Sequence, residues 1–355
     1  MNGRAGDRRI GTRRHAVSAP EVFIRRHPPV PSLVFDTYWY FASERQSIFH
    51  ARAGGAEAPW TDDPVLGAYK FTNAYRASDR TSQFLIKRVI YNEDHDWPST
   101  LLRVLLFKVF NKTATWNLLE ASLGPMSLNN FSSERINAVL DDAIASGTAI
   151  YSNAYIVPSG AASMRQARKH RMHIALLSDI VRGSVSADIQ KANSMEQAYN
   201  IIRSVPSFGP FLAMQFLVDL NYTQFLNFSE MDFVVPGPGA RDGIRKCFQS
   251  LGDYDETDVI RWVAERQELE LSTRGLEFKT LWGRPLQLID CQNLFCEVDK
   301  YARVAHPEVE GRTGRTRIKQ RFRAHAEQLT PWYPPKWGIN EKIRQCQAAP
   351  GPSRE

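Results

Sequence analysis

The chain has 355 residues, of which 43% are apolar and 23% charged, a composition typical of globular proteins with a sizeable core. Its longest apolar stretches, LLRVLLFKVF and FLAMQFLV, are too short to cross a bilayer, and the polar N-terminus has no leader segment. We therefore expect an intracellular protein without a membrane partner. The net charge of +7 is uneven, because residues 1–30 carry +5 and the remaining 325 carry +2. The charge of the body is thus weak evidence for nucleic-acid binding.

The arginine-rich segment 1–30 lacks apolar periodicity, which predicts a disordered arm. Such an arm is typical of a nuclear-localisation signal, if the source is eukaryotic, of a phosphate-binding segment or of a solvated tail. The four cysteines lack the spacing of a zinc site, so we expect free thiols, a reducing compartment and no metal site. We expect the folded domain over 31–305, a basic extension over 306–338 and a disordered tail over 339–355.

Apolar and aromatic residues at three- and four-residue steps predict a mainly α fold with little or no sheet. The predicted helices lie at about 33–52, 80–91, 98–110, 132–146, 161–182, 194–203, 210–220, 239–250, 256–271 and 286–303. The stretch AIYSNAYIVP at 149–158 is the one segment that is typical of an extended chain.

Residues 194–220 have the pattern of a helix-hairpin-helix. A helix with capping-box spacing, SMEQ, leads into VPSFG at 205–209, and a second helix begins at Pro210. The backbone N–H groups at the start of the second helix would point outward and bind one phosphate. We therefore predict DNA contacts from Ser207, Phe208 and Gly209.

This hairpin resembles that of the DNA glycosylase superfamily, in which a catalytic aspartate follows a little over twenty residues later. Asp232 lies 23 residues after Gly209, so the resemblance implies a glycosylase-like fold and a catalytic Asp232; a helix N-cap is the alternative. Ser207 replaces the first hairpin glycine, and Phe211 replaces the Schiff-base lysine of bifunctional members, which argues against lyase activity. The turn and helix after Asp232 are predicted to add DNA contacts from Gly237, Gly239, Arg241, Arg245 and Lys246.

Further stretches place polar residues where a helix would bury them: YWYFASERQSIF at 38–49, TNAYRASDRTSQF at 72–84, RVLLFKVFN at 103–111 and DCQNLFCEVDKY at 290–301. Such burial is costly unless the polar groups pair or face a ligand. Three of these motifs, YWxFAxERQxIF, TNxYRxxDRxSQF and DxQNxxCExDKY, resemble the helical domain of 5-hydroxymethyluracil DNA kinases. The same group includes α-glutamyl/putrescinyl thymine pyrophosphorylases and DNA base hypermodification proteins. The resemblance covers about residues 33–305.

The resemblance implies an enzyme that acts on 5-hydroxymethyluracil, or a related thymine derivative, flipped out of DNA. It would activate the 5-hydroxymethyl group with phosphate or perform a linked step. The catalytic residues implied are Glu44, Arg45, Asp79, Arg80, Glu297 and Lys300. The base-binding residues implied are Tyr38, Trp39, Phe41, Gln46, Arg76, Gln83, Gln292 and Asn293. Structural ion pairs are the alternative for the Glu44–Arg45 and Asp79–Arg80 pairs, and a solvated helix position is the alternative for Lys300.

No GxxxxGK[ST] motif is present, so the phosphate chemistry belongs either to this chain without a P-loop or to a separate kinase or transferase. The sequence identifies no cofactor, and a nucleoside triphosphate with Mg²⁺ is the candidate if phosphate is transferred. Two other functions stay open. One is a monofunctional glycosylase that excises a modified base through Asp232, and the other is a non-catalytic DNA-binding module.

Overall fold

The structure is a computed structural model that describes residues 26–152, 158, 168–323 and 329–348. Its α-helices, in chain order, are α1 Leu33–Ala53, α2 Pro64–Ala68, α3 Arg80–Phe84, α4 Trp97–Phe110, α5 Thr113–Leu123, α6 Ser133–Ala145, α7 Lys169–Arg182, α8 Ser184–Gln190, α9 Met195–Arg203, α10 Pro210–Leu220, α11 Pro238–Cys247, α12 Glu256–Glu265, α13 Gln267–Thr273, α14 Leu288–Ala305 and α15 Asn340–Ala348. Two 3₁₀ turns, Arg76–Ser78 and Pro335–Trp337, and one π-helical turn, Leu85–Ile90, add to them. Strands β1 Val30–Pro31 and β2 Phe248–Ser250 pair antiparallel. The predicted mainly α class is confirmed.

Helices α1, α4, α6, α9, α10 and α14 have ends within about two residues of those predicted. The segment predicted as one helix at 80–91 is α3 followed by the π-helical turn. The helix predicted at 239–250 ends at Cys247, because the next three residues pair with β1 as a strand. The helix predicted at 256–271 is interrupted at Arg266 between α12 and α13. Helices α2, α5, α8 and α15 lie outside the predicted helical ranges.

The two ends of the chain differ from the predicted disorder where they are described. Residues 1–25 lie outside the described part, but the guanidinium of Arg26 lies 4.1 Å from the Tyr254 ring centroid. The predicted disordered tail is wrong over α15, because its Ile343 side chain is buried against the body. The start of the helix predicted at 161–182 and most of the extended segment predicted at 149–158 lie outside the described residues.

Helix α1 is buried along most of its length, as expected for a helix with apolar residues on nearly every face. It begins at the N-cap Ser32, whose hydroxyl accepts from the Val34 N–H at 3.1 Å, and it packs against α11 and α14. The backbones of α11 and α14 approach closely, since an added Cβ at Gly243 would lie 1.9 Å from the Phe295 carbonyl oxygen. These three helices form the centre of the fold.

A buried ion network ties α4 and α10 to the turn that follows residue 75. The Asp219 carboxylate lies 2.7 Å from Arg76 Nη1 and 2.7 Å from Lys108 Nζ, and all three side chains are nearly inaccessible. The backbone N–H of Arg76 also donates to Asp290 Oδ1 at 2.8 Å, which connects the turn to the start of α14. Removing one partner from a buried pair typically costs about 3–5 kcal/mol, so this network fixes the turn firmly.

The C-terminal segment folds back onto the body. Lys336 Nζ donates to the carbonyl oxygens of Thr223 and Leu226, at 3.1 and 2.6 Å, and also to that of Asn221. The basic extension runs past α2, where the Phe322 N–H donates to the Ala68 carbonyl at 3.0 Å. Within the described residues, no helix is long and apolar enough to span a membrane.

Substituting Gly243→Ala tests the close approach of α11 and α14. The new methyl group would collide with the Phe295 carbonyl, and we expect a loss of about 1–3 kcal/mol in the free energy of unfolding. Gly67→Ala is the matched control, because Gly67 lies in α2 with nothing within 4 Å of an added Cβ. Urea unfolding of the three proteins measures the difference. Equal midpoints for Gly243→Ala and the wild type would contradict the packing described.

Candidate functional site

The first two family-like motifs meet at Arg45 of α1. Its Nε donates to the Thr72 carbonyl at 3.0 Å, and its Nη2 donates to Asn73 Oδ1 at 2.8 Å. Arg45 is only 9% exposed, and burial lowers its pKa to about 10 although it remains a cation at neutral pH. A buried guanidinium therefore holds the loop that begins at Thr72.

The third motif meets the same loop from the other side. The Thr72 N–H donates to Glu297 Oε2 at 2.9 Å, and the same oxygen lies 2.7 Å from Lys300 Nζ. Lys300 also donates to the Lys70 carbonyl at 2.9 Å and lies 4.4 Å from the Phe71 ring centroid. Helix α14 thus contributes one carboxylate and one ammonium group to the loop.

Asp79 completes this group of charges. Its Oδ1 accepts from the Asn73 N–H at 2.8 Å, immediately beside the amide side chain that receives Arg45. Burial, and then the charge of Glu297, raise the pKa of Asp79 to about 7, against the opposing effect of its hydrogen bond and of nearby arginines. A carboxyl group with this pKa exchanges a proton readily at neutral pH. We call Arg45, Asn73, Asp79, Glu297 and Lys300 the motif cluster.

A cavity of about 370 Å³ lies on the other side of Arg45. Its wall is mostly apolar, with the rings of Trp60 and Phe322 and the hydroxyl of Thr61. Thr61 donates to Glu44 Oε1 at 2.5 Å, so Glu44 holds the rim of the cavity rather than pairing with Arg45. The Arg52 guanidinium lies 5.0 Å from the Trp60 ring centroid, and burial, followed by the charge of Arg80, lowers its pKa.

The backbone of the hairpin before α10 has a positive φ at Ser207. Ser207 has a φ of +72°, in the left-handed region that glycine adopts most easily. Phe208 anchors the turn by stacking on Phe216 with ring centroids 4.5 Å apart. Gly209 is the N-cap of α10 and makes no side-chain cap, and an added Cβ there would meet nothing within 4 Å. The space beside Gly209 is therefore open, and the first N–H inside α10 is that of Phe211, because Pro210 has none.

A second glycine-capped helix begins beside this hairpin. Gly237 is the N-cap of α11, again without a side-chain cap, and an added Cβ there would lie 2.7 Å from the Phe211 ring. An added Cβ at Gly239 would lie 2.4 Å from Cys296 Sγ of α14. Cys296 precedes Glu297 of the motif cluster. Helix α14 thus contacts the start of α11 directly, and the start of α10 is linked to it through the contact of Phe211 with Gly237.

Asp232 lies in the loop between α10 and α11, and its side chain is exposed. Arg261 of α12 fixes this loop by donating to the carbonyl oxygens of Met231 and Asp232, at 2.5 and 2.8 Å. Phe233 packs on Tyr199 with ring centroids 5.0 Å apart. No hydrogen bond or ion pair among the described residues joins Asp232 to the motif cluster. It does not act as the N-cap of α11, which is Gly237.

The rings of Tyr38, Trp39 and Phe41 were predicted to wall the flipped base, and the structure corrects this. All three are 0% exposed and pack in the central core, where Tyr38 contacts Phe295 at a centroid distance of 4.5 Å. They face the core because α1 is surrounded by α11 and α14. The aromatic wall of the cavity beside Arg45 is supplied instead by Trp60 and Phe322.

Several predicted base-binding polar residues have structural partners. Arg76 belongs to the buried network with Asp219, and Gln83 bridges the Ala77 carbonyl and the Trp332 N–H. Gln46 and Gln292 are also buried, with side-chain contacts to His50 and Asn293. These contacts hold the side chains inside the fold, so the predicted base-reading role of Arg76, Gln46, Gln83 and Gln292 is not supported by their placement. Asn293 is half-buried on α14.

Some of the predicted DNA-binding residues are exposed to solvent and others are buried in the fold. Arg241 and Arg245 are exposed on α11, with Arg245 Nη2 3.7 Å from Glu256 Oε1. Lys246 is a correction, because its ammonium group is 2% exposed and lies 3.0 Å from Asp299 Oδ1 inside the fold. Arg80 is exposed at the start of α3. Among the described residues, no group of three or more His, Cys, Asp or Glu side chains is arranged to hold a metal ion.

Sequence reasoning did not identify Asn73, Arg52, Trp60 or Phe322. Asn73 lies inside the motif TNAYR, which also contains the predicted site residue Arg76, so its polar side chain could have been identified from the sequence. Arg52 lies seven residues after Arg45, two helical turns further along the same face of α1. Trp60 and Phe322 gave no signal, since they lie in non-helical segments that are 262 positions apart in the chain.

Comparison with known proteins agrees with the motifs. The family model described as 5-hmdU DNA kinase, helical domain, matches residues 32–311. The chain is similar to a 5-hmdU DNA kinase of Bacillus phage SP10, with 28% identity over 300 residues that cover 79% of this chain and 46% of the phage protein. The chain thus spans about half the length of the curated relative that it matches. No solved structure matches it. The predicted resemblance is confirmed, and the chain belongs to the family of 5-hmdU DNA kinase helical domains.

Proposed function

We propose that this protein modifies 5-hydroxymethyluracil, or a closely related thymine derivative, in DNA, with the motif cluster as its reactive centre. The observation that carries the proposal is the Asp79 carboxyl group, whose pKa of about 7 is combined with the cations of Arg45 and Lys300. Three separate family motifs supply these residues. A perturbed carboxyl group beside fixed cations is the usual arrangement of a catalytic acid or base.

The chemistry follows from what a hydroxymethyl group needs. Its oxygen becomes a good nucleophile when a base removes the proton, and Asp79 accepts that proton as the oxygen bonds to the phosphorus of a donor. The bond between that phosphorus and the leaving nucleoside diphosphate breaks in the same step. Arg45 and Lys300 offset the negative charge on the transferring phosphoryl group. The donor is bound either by this chain or by a partner kinase.

DNA binding is assigned to the surface around the two glycine-capped helices. The starts of α10 and α11 lie together through the contact of Phe211 with Gly237, and neither has a side-chain cap. Because each helix begins with a proline, which has no N–H, the first N–H inside the helix is that of Phe211 in α10 and of Gly239 in α11. Backbone N–H groups at a helix start bind phosphate without a side-chain charge, which suits a body with little net charge. Arg241, exposed one turn into α11, adds a cation to the same surface. A base flipped from a duplex held there would approach α14 and the motif cluster.

The ionisation of Asp79 should be visible in the stability of the folded protein. Because folding raises the pKa of Asp79 from an ordinary 3.8 to about 7, its contribution to stability is fully present below about pH 4, declines as the pH rises and is lost above about pH 7. Asp79→Asn cannot titrate. Its stability relative to the wild type should therefore increase from pH 5 to pH 8 in urea unfolding. The exposed Asp188→Asn is the matched control, and parallel curves for Asp79→Asn and the wild type would contradict the raised pKa.

The same substitution tests the catalytic role. With duplex DNA containing 5-hydroxymethyluracil, a nucleoside triphosphate and Mg²⁺, we expect a new nucleoside by mass spectrometry after enzymatic digestion. Asp79→Asn should lower the rate about 100-fold or more, the usual effect of losing a general base, with little change in DNA affinity. Asp188→Asn should leave both unchanged.

Two outcomes would overturn the proposal. One is the absence of a new nucleoside from the wild type, alone and with a family kinase added. The other is an active Asp79→Asn protein. Alkali-labile abasic sites that disappear in Asp232→Asn would instead identify the glycosylase function.

A further inference from the structure

We propose that the cavity lined by Trp60 and Phe322 binds a nucleoside triphosphate, with the base against these rings and the phosphates beside Arg45 and Arg52. The inference rests on the proposed function, because it names the phosphate donor for the motif cluster. It assigns the donor to this chain itself, although the chain contains no P-loop motif.

The size and wall of the cavity fit an aromatic ligand. Its volume of about 370 Å³ is within the range of small-molecule sites, which is about 300–1,000 Å³. The rings of Trp60 and Phe322 stand nearly perpendicular, with centroids 6.2 Å apart and planes at 77°. Ile48 and Leu66 add apolar side chains to the wall. Because the two rings contact each other edge to face, a base would lie against their outer surfaces rather than between them.

The charges around the cavity favour an anionic ligand. Arg45 forms part of its wall, and Arg52 lies over the Trp60 ring. Arg80 is near enough for its positive charge to affect Arg52. Neither Arg52 nor Arg80 has a carboxylate within 4.0 Å among the ion pairs of the described residues. Nearby carboxylates, those of Asp79 and Glu297, offset the charge of Arg45, so Arg52 and Arg80 are the cations that a bound polyphosphate would stabilise most.

The position of Arg45 connects this cavity to the motif cluster. One edge of its guanidinium group donates to Thr72 and Asn73, and Asn73 in turn donates to Asp79. The same side chain lines the cavity. A triphosphate whose terminal phosphate reaches Arg45 is therefore adjacent to the cluster in which Asp79 would activate the hydroxymethyl group. One arginine would serve both substrates.

The segment Gln320–Phe322 closes one side of the site. The Lys70 N–H donates to the Gln320 carbonyl and the Phe322 N–H donates to the Ala68 carbonyl, both at 3.0 Å. The Arg321 guanidinium lies 4.6 Å from the Tyr69 ring centroid. These contacts fix Phe322 opposite Trp60 before a ligand binds, which reduces the entropy cost of binding.

Isothermal titration of the full chain with Mg²⁺ and non-hydrolysable ATP and GTP analogues tests the proposal without DNA. We expect saturable binding of at least one analogue, weakened about tenfold by Arg52→Gln, as for the loss of one charge-assisted contact. Trp60→Ala and the milder Phe322→Leu should weaken it similarly. Arg135→Gln, at an exposed position on α6, is the matched control and should bind as the wild type does. Thermal unfolding of each variant verifies that it is folded.

Binding of neither analogue by the wild type, or equal binding by the folded Arg52→Gln and Phe322→Leu variants, would overturn the inference. A parallel titration with a 5-hydroxymethyluracil oligonucleotide tests whether the cavity binds a base flipped from DNA instead of a free nucleotide. If the variants weaken oligonucleotide binding and not analogue binding, the cavity receives the flipped base, and the inference is wrong. Because these titrations need no turnover, nucleotide binding without a new nucleoside would defeat only the proposed function.

Discussion

The buried guanidinium group of Arg45 is the constraint on which the site depends. A cation withdrawn from water is stable only when hydrogen-bond acceptors and negative charges replace its hydration. Here the Thr72 carbonyl and the Asn73 side chain supply the acceptors, and Asp79 and Glu297 supply the charge. The loop from Thr72 to Asp79 must therefore take the conformation that encloses this cation, and that conformation also determines where the carboxyl group of Asp79 lies.

The buried network around Asp219 fixes the other end of the same loop. Arg76 binds the Asp219 side chain near the end of α10, while α10 begins at Gly209 on the surface assigned to DNA. One helix of eleven residues thus extends from the glycine-capped surface to the loop of the motif cluster. Gly209 and the Asp219 side chain that binds Arg76 therefore lie near opposite ends of one helix.

The sequence was sufficient to predict the class of fold, the ends of six helices and the residues that converge on the motif cluster. Arg45, Asp79, Glu297 and Lys300 were identifiable because their polar side chains stand where a helix is otherwise apolar. The rings of Tyr38, Trp39 and Phe41 were assigned to a pocket because periodicity shows which residues share a face but not what that face contacts. The same limit applies to Lys246, which looked like a basic surface residue and is paired with Asp299 inside the fold. The cavity could not be predicted, since Trp60 and Phe322 come together only through tertiary contacts.

The absence of side-chain caps at Gly209 and Gly237 has a consequence for how such a protein responds to ionic strength. Lysine and arginine contacts to DNA gain much of their free energy by releasing condensed counterions, and they weaken steeply as salt is added. A phosphate that is held by helix dipoles and backbone N–H groups depends less on that release. With only +2 on the body beyond residue 30, a duplex seated on these two helix starts would dissociate less steeply with added salt than one held by a basic groove. The part of the affinity that comes from the backbone N–H groups is determined by backbone geometry, and Arg241 would add the salt-sensitive part.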